Sequence, residues 1–456
     1  MKRSTSLLIF LTILFFPSIV IAQTWEKVPL VTQAQKNKGG DTALGGEGFQ
    51  MIFDIEYAPS NANIVYKVND VTGVWKSLDG GSTWDSKPNG FTALGGHSIL
   101  IDPANENIVY IPASGHVTDG TDATLNPVEG IFRTTDGGDN WSLVTNYSYS
   151  SHSSTQAHFH RVSIGYAGKQ LAFAGTDIYA APCTGGLLRS TNGTTWSLVP
   201  KNGGGYILDT ANCRHIVMHP SSIAGSATCF ITSDTGFWRV RYNNGSATVT
   251  AIGTGIPTLT SVYEVAFGSS TPNVMYAACN TNGVYRSTDG GNTFSARNTG
   301  LPAGRTVRAL DVCPNNGNRL ILGLRTAGQN AYYTNDAGAN WVKCTSMDEQ
   351  VGGLWVAAST FSASAIPWEG HKGINDATQP ISFHPTNQDT ALINGASSQT
   401  KITTNGGDTW RYSNSGYTGA GASEPGAKSL SFDSTNSNQS AFFHIDFGVR
   451  LSDNNE

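Results

Sequence analysis

The 456-residue sequence is poor in charge, since only 13% of its residues are Asp, Glu, Lys or Arg, against ~25% in a typical soluble protein. Its 28 basic residues are outnumbered by 33 acidic ones, so no basic excess is available to neutralise a phosphate backbone. Beyond the N-terminal segment there is neither an apolar run long enough to span a membrane nor a sustained helical periodicity. We therefore expect no nucleic-acid partner, no membrane span and no helical bundle.

What the chain has is glycine, small polar residues and aromatics. It contains 52 glycines, 39% of its residues are hydrophobic and 10% are aromatic, which is enough to bury a large core and argues against disorder. This composition is typical of an all-β extracellular protein.

The N-terminus predicts export. Lys2 and Arg3 precede an apolar run over 7–16, and small residues lead to a plausible cleavage site after Ala22. A basic head, an apolar middle and a small-residue end define a secretory signal peptide over 1–22. The rival interpretation, a membrane anchor over 7–22, is short of the roughly twenty residues that a spanning helix needs, and it contains Pro17. We expect a secreted protein, extracellular or periplasmic.

Six cysteines lie after this segment, and none has the spacing of a zinc site. An even number in an exported protein permits disulfides. Cys313 and Cys344 flank one repeat and are the preferred local pair, while buried free thiols are the open alternative.

The most informative feature is a repeated phrase, Ser/Thr-x-Asp/Asn-x-Gly-x-x-Trp/Phe, of which the copy over 190–196 is one residue shorter. Successive copies end 57, 55, 98, 47 and 69 residues apart, and the gap of 98 implies one degenerate copy near Thr232 to Gly245. The clear copies end at Trp84, Trp141, Trp196, Phe294, Trp341 and Trp410.

Strand signals precede the copies, as in 55–59, 64–66 and 73–76 of the first unit. Four strands in about 50 residues, repeated at least seven times, predict an all-β, seven-bladed β-propeller with an incomplete last unit. The predicted domains are the signal peptide 1–22, the propeller 23–425, and 426–456 as the start of a further blade, possibly of a second propeller.

The aspartate found in four copies of the phrase has a structural explanation. Asp-Gly-Gly supplies the positive φ angles of a tight hairpin, and the carboxylate can accept bonds from nearby N–H groups. We therefore assign hairpin roles to Asp79, Asp136, Asp289 and Asp336. The phrases resemble the Asp-box, or bacterial-neuraminidase repeat, which is shared by propellers of several functions.

The first unit carries a second resemblance. The glycine-rich 45–48, then 55–59, 65–66 and 69–75, resemble the opening blade of family 74 glycoside hydrolases, which are xyloglucanases and related endo-β-1,4-glucanases built from two seven-bladed propellers. In that family the aspartate of Tyr-x-x-Thr-Asp-Val/Ile-Gly-Gly is the catalytic base, and the matching residue is Asp70. Asn69 and Thr72 depart from the family pattern, so an ordinary turn aspartate is the alternative.

An inverting glycosidase also needs a general acid roughly 6.5–9.5 Å from the base. In the family this acid comes from the second propeller, so the resemblance assigns it to no residue here. Asp446, Asp376 and Glu369 are further acidic candidates.

Sugar binding needs exposed aromatic faces. Trp75, Trp355 and Trp368 do not end a repeat and are candidates, the last two in a long insertion after Trp341. Packing between blades is the alternative for Trp75.

A cofactor or metal is not expected. His152, His158 and His160 lie close in sequence, but their spacing matches no metal site, and a solvated loop explains them. Two functions stay open: hydrolysis of a β-glucan by inversion, and non-catalytic binding of a glycan or protein by a propeller.

Overall fold

The computed structural model describes residues 26–27, 52–69, 74–87, 89–91, 93, 95–114, 130–146, 168–182, 185–268, 272–324, 331–345, 380–394, 400–413, 428–432, 440–444 and 448–452. These residues form antiparallel sheets, and the one helix among them is a 3-10 turn at Leu259–Ser261.

Seven sheets are built from strands that are contiguous in sequence, and we number them as blades 1 to 7. Blade 1 has β2 (Ile52–Ala58), β3 (Asn61–Asn69), β4 (Val74–Ser77) and β5 (Asp85–Ser86). Blade 2 has β6 (Gly95–Gly96), β7 (Leu100–Asp102), β8 (Asn105–Ser114), β9 (Gly130–Thr134) and β10 (Ser142–Asn146). Blade 3 has β11 (Leu171–Ala174), β12 (Asp177–Ala180), β13 (Leu188–Ser190) and β14 (Trp196–Leu198).

The remaining blades repeat this order. Blade 4, the degenerate copy, has β15 (Cys213–Met218), β16 (Ser226–Ser233), β17 (Gly236–Asn243) and β18 (Ser246–Ala251). Blade 5 has β19 (Glu264–Phe267), β20 (Met275–Ala278), β21 (Val284–Ser287) and β22 (Ser295–Ala296). Blade 6 has β23 (Val307–Val312), β24 (Leu320–Leu324), β25 (Ala331–Thr334) and β26 (Val342–Lys343). Blade 7 has β27 (Ile381–Phe383), β28 (Ala391–Asn394), β29 (Thr400–Thr403) and β30 (Arg411–Tyr412).

The innermost strand of each blade, which is β7 in blade 2 and the first strand in the others, touches the innermost strand of the next, and β27 of blade 7 touches β2 of blade 1, so the ring closes. The core follows this geometry, because it divides into seven apolar clusters, each made by residues of two neighbouring blades. Both faces of every sheet are therefore covered by a neighbour. The predicted seven-bladed propeller is confirmed.

An eighth sheet lies outside the ring. It contains β1 (Glu26–Lys27), β31 (Lys428–Phe432), β32 (Ser440–His444) and β33 (Gly448–Ser452), in the order β1-β33-β32-β31. Glu26 pairs with Leu451 and Lys27 with Arg450, so a segment from the start of the chain adds the fourth strand to the last unit.

Among the described strands, none is shared between blades 7 and 1, and side chains make the closing contact. The fully buried Lys67 ammonium lies 4.0 Å from the centre of the Trp84 ring and donates to Thr400 Oγ1 at 3.2 Å. The indole N–H of Trp84 donates to the Ser413 carbonyl at 2.7 Å, and Ser413 Oγ donates to the Gly81 carbonyl. Packing and hydrogen bonds therefore close the ring between residues far apart in sequence, 329 positions for Trp84 and Ser413.

The cysteine prediction needs correction. Cys344 carries a free, buried thiol, so the preferred pair of Cys313 with Cys344 is wrong. Cys344 packs among apolar residues of blades 6 and 7, where burial raises its thiol pKa to about 12. The buried-thiol alternative applies to it because a small apolar side chain suits this junction.

Within the described ranges, no helix is long and apolar enough to cross a membrane.

Candidate functional site

The strand order gives the ring two different rims. On the hairpin rim, strand one of a blade turns into strand two and strand three turns into strand four, mostly through tight connections such as 59–60 and 78–84. On the loop rim, strand two connects to strand three, and strand four leads to the next blade. The loop rim takes the long connections, for example 115–129 and 344–380. Binding and catalytic residues concentrate on such connections, which makes the loop rim the candidate functional surface.

Asp70 belongs to a connection of the loop rim. The chain leaves β3 at Asn69 and enters β4 at Val74, and both of these strand ends lie on that rim of blade 1. Asp70 itself lies outside the described residues. Its role as a base therefore stays a prediction.

Trp355 and Trp368 also lie outside the described residues, within the connection from β26 of blade 6 to β27 of blade 7. Blade 7 neighbours blade 1, so the strand β27, where this connection ends, and the strand ends that bracket Asp70 belong to adjoining blades of one rim. The remaining candidates outside the described residues are His152, His158, His160, Glu369, Asp376 and Asp446.

Trp75 is placed in the core. Its side chain is only 2% exposed and packs in the cluster that joins blade 1 to blade 7, beside Leu392 and Ile402. A buried indole has no face open to a sugar ring. The structure therefore favours packing between blades over sugar binding for Trp75.

The four repeat aspartates bond within their own hairpins. Asp79 accepts the hydroxyl of Ser77 at 2.7 Å and both the N–H and the hydroxyl of Thr83 at 2.8 and 2.7 Å, while Ser77 Oγ accepts the Gly81 N–H at 2.8 Å. The same pattern recurs around Asp136, Asp289 and Asp336. Bonds from the Asn140 and Thr293 side chains hold the pKa of Asp136 and of Asp289 at about 2.

The axis of the ring carries a second set of polar groups, on or next to the first strands. At each junction one side chain bonds to the backbone of the neighbouring first strand, over 2.7 to 3.2 Å. Six side chains, which we call the axial ring, span all seven junctions: Asp54, Ser98, His215, Glu264, Asp311 and Ser382. Each satisfies a buried backbone group that the twisted sheets leave without a strand partner.

His215 serves two junctions at once. Its Nδ1 accepts the Lys169 N–H of blade 3 at 3.0 Å, and its Nε2 lies 2.9 Å from the Val265 carbonyl of blade 5. These partners assign the neutral tautomer with the proton on Nε2. Burial and the nearby Lys169 cation lower the pKa of His215 to about 3, so the ring stays neutral at physiological pH.

Lys169 is the cation at the centre of this set. Its ammonium pairs with Glu56 at 2.5 Å, and 38% of its side chain is exposed to solvent. Burial alone would lower its pKa, but Glu56, Asp54 and Asp311 raise it. Burial also raises the pKa values of the carboxyl groups, that of Glu264 to about 8. The axis therefore holds carboxyl groups that keep protons more readily than ordinary acids.

The axial ring has one signal in the sequence. Acidic residues occur in three of the mainly apolar first strands: Asp54 and Glu56 in Ile52–Ala58, Glu264 at the start of Glu264–Phe267, and Asp311 in Val307–Val312. Among the described residues, no three His, Cys, Asp or Glu side chains are grouped to hold a metal ion. The axial carboxylates instead accept backbone N–H groups, which makes them hydrogen-bond acceptors between blades.

Comparison with known proteins gives a partial match in sequence. No protein-family model matches the chain. Two curated proteins, both named xyloglucanase Xgh74A and both from Acetivibrio thermocellus, are 28% identical to it over 174 residues, which is 36% of this chain and 19% of theirs. The aligned part thus spans about a fifth of the length of these relatives.

The structural match covers most of the chain. The GH74 xyloglucanase from Xanthomonas campestris matches with a TM-score of 0.59 at 16% identity, over 88% of this chain and 59% of that one. The GH74 enzyme of Niastella koreensis matches with a TM-score of 0.60 at 18% identity, over 91% of this chain and 66% of that one. At such identities the likeness is one of fold. The chain is a seven-bladed β-propeller that resembles those of family 74 glycoside hydrolases.

Proposed function

We propose that this protein is a secreted glycoside hydrolase-like propeller that acts on a β-1,4-glucan or xyloglucan-type polysaccharide. The observation that carries the proposal is the loop rim, where the connections that contain Asp70, Trp355 and Trp368 begin and end on adjoining blades. Its substrate class follows from relatives that are named xyloglucanases. Residues 1–22 serve as the signal peptide.

In the proposed reaction, Asp70 is the general base. An ionised carboxylate would remove a proton from water as that water attacks the anomeric carbon, while a second carboxyl group protonates the departing oxygen on the opposite face. The product would carry the inverted configuration. We further propose that 426–456 begin another blade, because β31 to β33 form, together with β1, a sheet that is separate from the seven blades.

The reaction is tested by incubating the protein with xyloglucan and measuring new reducing ends. Asp70→Asn should lower the rate by a factor of about 10² or more, as expected for loss of general-base catalysis. Asp79→Asn is the matched control, since Asp79 lies on the hairpin rim of the same blade and two other copies already use Asn192 and Asn405. Undiminished activity in Asp70→Asn would contradict the assignment, and NMR of the first product anomer tests inversion.

A second candidate is a non-catalytic propeller that binds a glycan or a protein. It is favoured by the axial carboxyl groups, because those of Asp54, Glu264 and Asp311 each accept a backbone N–H of the neighbouring blade and so have a structural role. Tight retention on xyloglucan without any new reducing ends would select this candidate over hydrolysis.

A further inference from the structure

One aromatic side chain stands out on the surface of the ring. Tyr206 is 46% exposed, and in the described part of the chain it is the only aromatic among the large exposed apolar side chains. The others are aliphatic and lie elsewhere, for example Leu78 and Ile223 on the hairpin rim. Tyr206 instead belongs to the connection from blade 3 to blade 4, which is a connection of the loop rim.

Tyr206 ends a small hairpin over 200–206. Pro200 pairs with Tyr206, the Lys201 N–H donates to the Gly205 carbonyl at 3.0 Å, and the Gly204 N–H donates to the Lys201 carbonyl at 3.0 Å. The turn consists of three glycines with φ angles of 92°, 106° and 75°. A side chain there would be strained by this backbone, although no atom lies within 4 Å of the place a Cβ would take. The turn therefore leaves open space at the three glycines that precede the tyrosine.

This hairpin is fixed to two blades. On one side the Asn202 N–H donates to the Ala247 carbonyl of β18 at 2.9 Å, and the Ala247 N–H donates to the Pro200 carbonyl at 2.8 Å. On the other side Ile207 accepts the N–H of Leu187, at the loop-rim end of β13, at 2.9 Å. Because the backbone is already held, little conformational entropy remains to be lost when a ligand binds.

The surroundings of Tyr206 select the kind of ligand. Every residue over 201–206 is exposed, and the residues that precede Tyr206 in this hairpin are three glycines, Asn202 and Lys201. One aromatic face with polar neighbours is too small for a stable protein interface, which needs about 1,000 Å² of buried surface. It does match a neutral sugar, whose C–H face covers an aromatic ring while its hydroxyls find polar partners.

We propose that Tyr206 is a carbohydrate-binding platform of the loop rim, on which a pyranose of a β-glucan chain stacks. The glycine surface lets the sugar approach the ring, and Asn202 and Lys201 bond its hydroxyls. The proposal rests on the proposed function, because it names a contact for the same polysaccharide on the same rim. It adds a binding position two blades from the connection that contains Asp70.

The test is retention of the full chain in native gels that contain xyloglucan. Tyr206→Ala should weaken binding about two- to tenfold, as expected for loss of one aromatic stacking contact. Tyr206→Phe and Tyr206→Trp should bind like the wild type, because the ring and not the hydroxyl makes the contact. Ile223→Ala is the matched control: it also truncates an exposed side chain, and it should change nothing. Equal thermal unfolding of all variants would show that folding is intact.

The outcomes separate the two proposals. If the wild-type protein binds and Tyr206→Ala binds equally well, the platform is wrong while the proposed function stands. Loss of binding in Tyr206→Phe would also overturn stacking, since it would assign the contact to the hydroxyl. If the wild-type protein does not bind xyloglucan at all, both proposals fail.

Discussion

The outer hairpins of the blades repeat one hydrogen-bond pattern, whereas the inner strands use a different side chain at almost every junction. In the hairpins, a hydroxyl, an acid or amide and a glycine take the same places around Asp79 and Asp289. At the axis, the same task of joining neighbours falls to Asp54, His215 or Ser382 according to the blade. The hairpins thus stabilise each blade by one repeated pattern, while the axial ring joins neighbouring blades with side chains of several types.

The two regions also differ in charge. The hairpin aspartates face water and their pKa values are lowered by bonds to the ionised form, whereas the axial acids are buried and their pKa values are raised. Ionisation therefore favours the hairpins and opposes the axis. Three experiments separate these contributions.

The largest effect is expected from Lys169→Met. It removes the cation that faces Glu56 and leaves the axial carboxyl groups without a partner charge. Breaking a fully buried ion pair costs about 3–5 kcal/mol, and because Lys169 is partly open to water we expect about 2–3 kcal/mol in the free energy of unfolding. Urea denaturation measures it.

Lys87→Met is the control for that variant, because Lys87 also pairs with an acid, Asp139, at 2.7 Å but on the exposed surface. Its loss should cost at most about 1 kcal/mol. Equal losses from Lys87→Met and Lys169→Met would show that the axis has no special dependence on charge.

The next effect is a pH dependence of opposite sign in the two regions. Glu264 has a folded pKa of about 8 against an ordinary value of 4.5, so its contribution is present at low pH and is lost as the pH rises through 4.5 to 8. Asp136 and Asp289, at about 2 against 3.8, contribute above 3.8 and lose this as the pH falls toward 2.

Thermal unfolding between pH 2 and pH 9 checks these signs. Glu264→Gln keeps an acceptor for the Leu310 N–H. It should reduce the loss of stability between pH 4.5 and 8, which we expect to be on the order of 2 kcal/mol in the wild type. The double variant Asp136→Asn with Asp289→Asn should reduce only the loss of stability below pH 3.8. If Glu264→Gln lost as much stability between pH 4.5 and 8 as the wild type does, the axial assignment would be contradicted.

The smallest effect tests how much of the hairpin pattern depends on charge. Asp136→Ala loses the bonds from Thr134 and Asn140 and should cost about 1 kcal/mol. Asp136→Asn should cost only a few tenths, about 0.3 kcal/mol, because Asn405 already fills this place in blade 7 with a bond from the Thr409 N–H at 3.0 Å. Chemical denaturation of both variants decides whether the carboxylate is needed.

The same contrast explains what the sequence could predict. A phrase that returns every 50 residues or so reveals the hairpin, and the hairpin predicts the number of blades, including the degenerate blade 4. The axial ring has no such signal, since Asp54, Ser98 and His215 share a location and a task but no residue type. Their roles depend on the ring being closed, which no local pattern encodes.

The candidate site was less predictable than the fold. Trp75 satisfied the pattern of a tryptophan outside the repeat ends, but burial decides whether a ring can bind a sugar, and Trp75 is in the core. The exposure of Tyr206 could not be predicted, because its sequence neighbours are glycines and not strand residues. It follows from a hairpin that is held by two blades. Asp70 remains a prediction from resemblance.

The closing contact between blades 7 and 1 has a consequence for the order of folding. Six junctions join blades that follow each other in sequence, but the seventh needs Lys67 and Trp84 to meet residues more than 300 positions away. Loop-closure entropy favours nearby partners, so we expect the seventh junction to form last. Hydrogen exchange during refolding would contradict this if blades 1 and 7 gained protection at their shared face before the other junctions.

During synthesis, the face of blade 1 that later contacts blade 7 would then be exposed to solvent until blade 7 emerges. Lys67 lies on this face of blade 1. A charged side chain there is well solvated and opposes premature association with other chains. Lys67 thus suits both states of the protein. It keeps the incomplete ring soluble, and in the complete ring it is buried over Trp84 in the contact between blades 7 and 1.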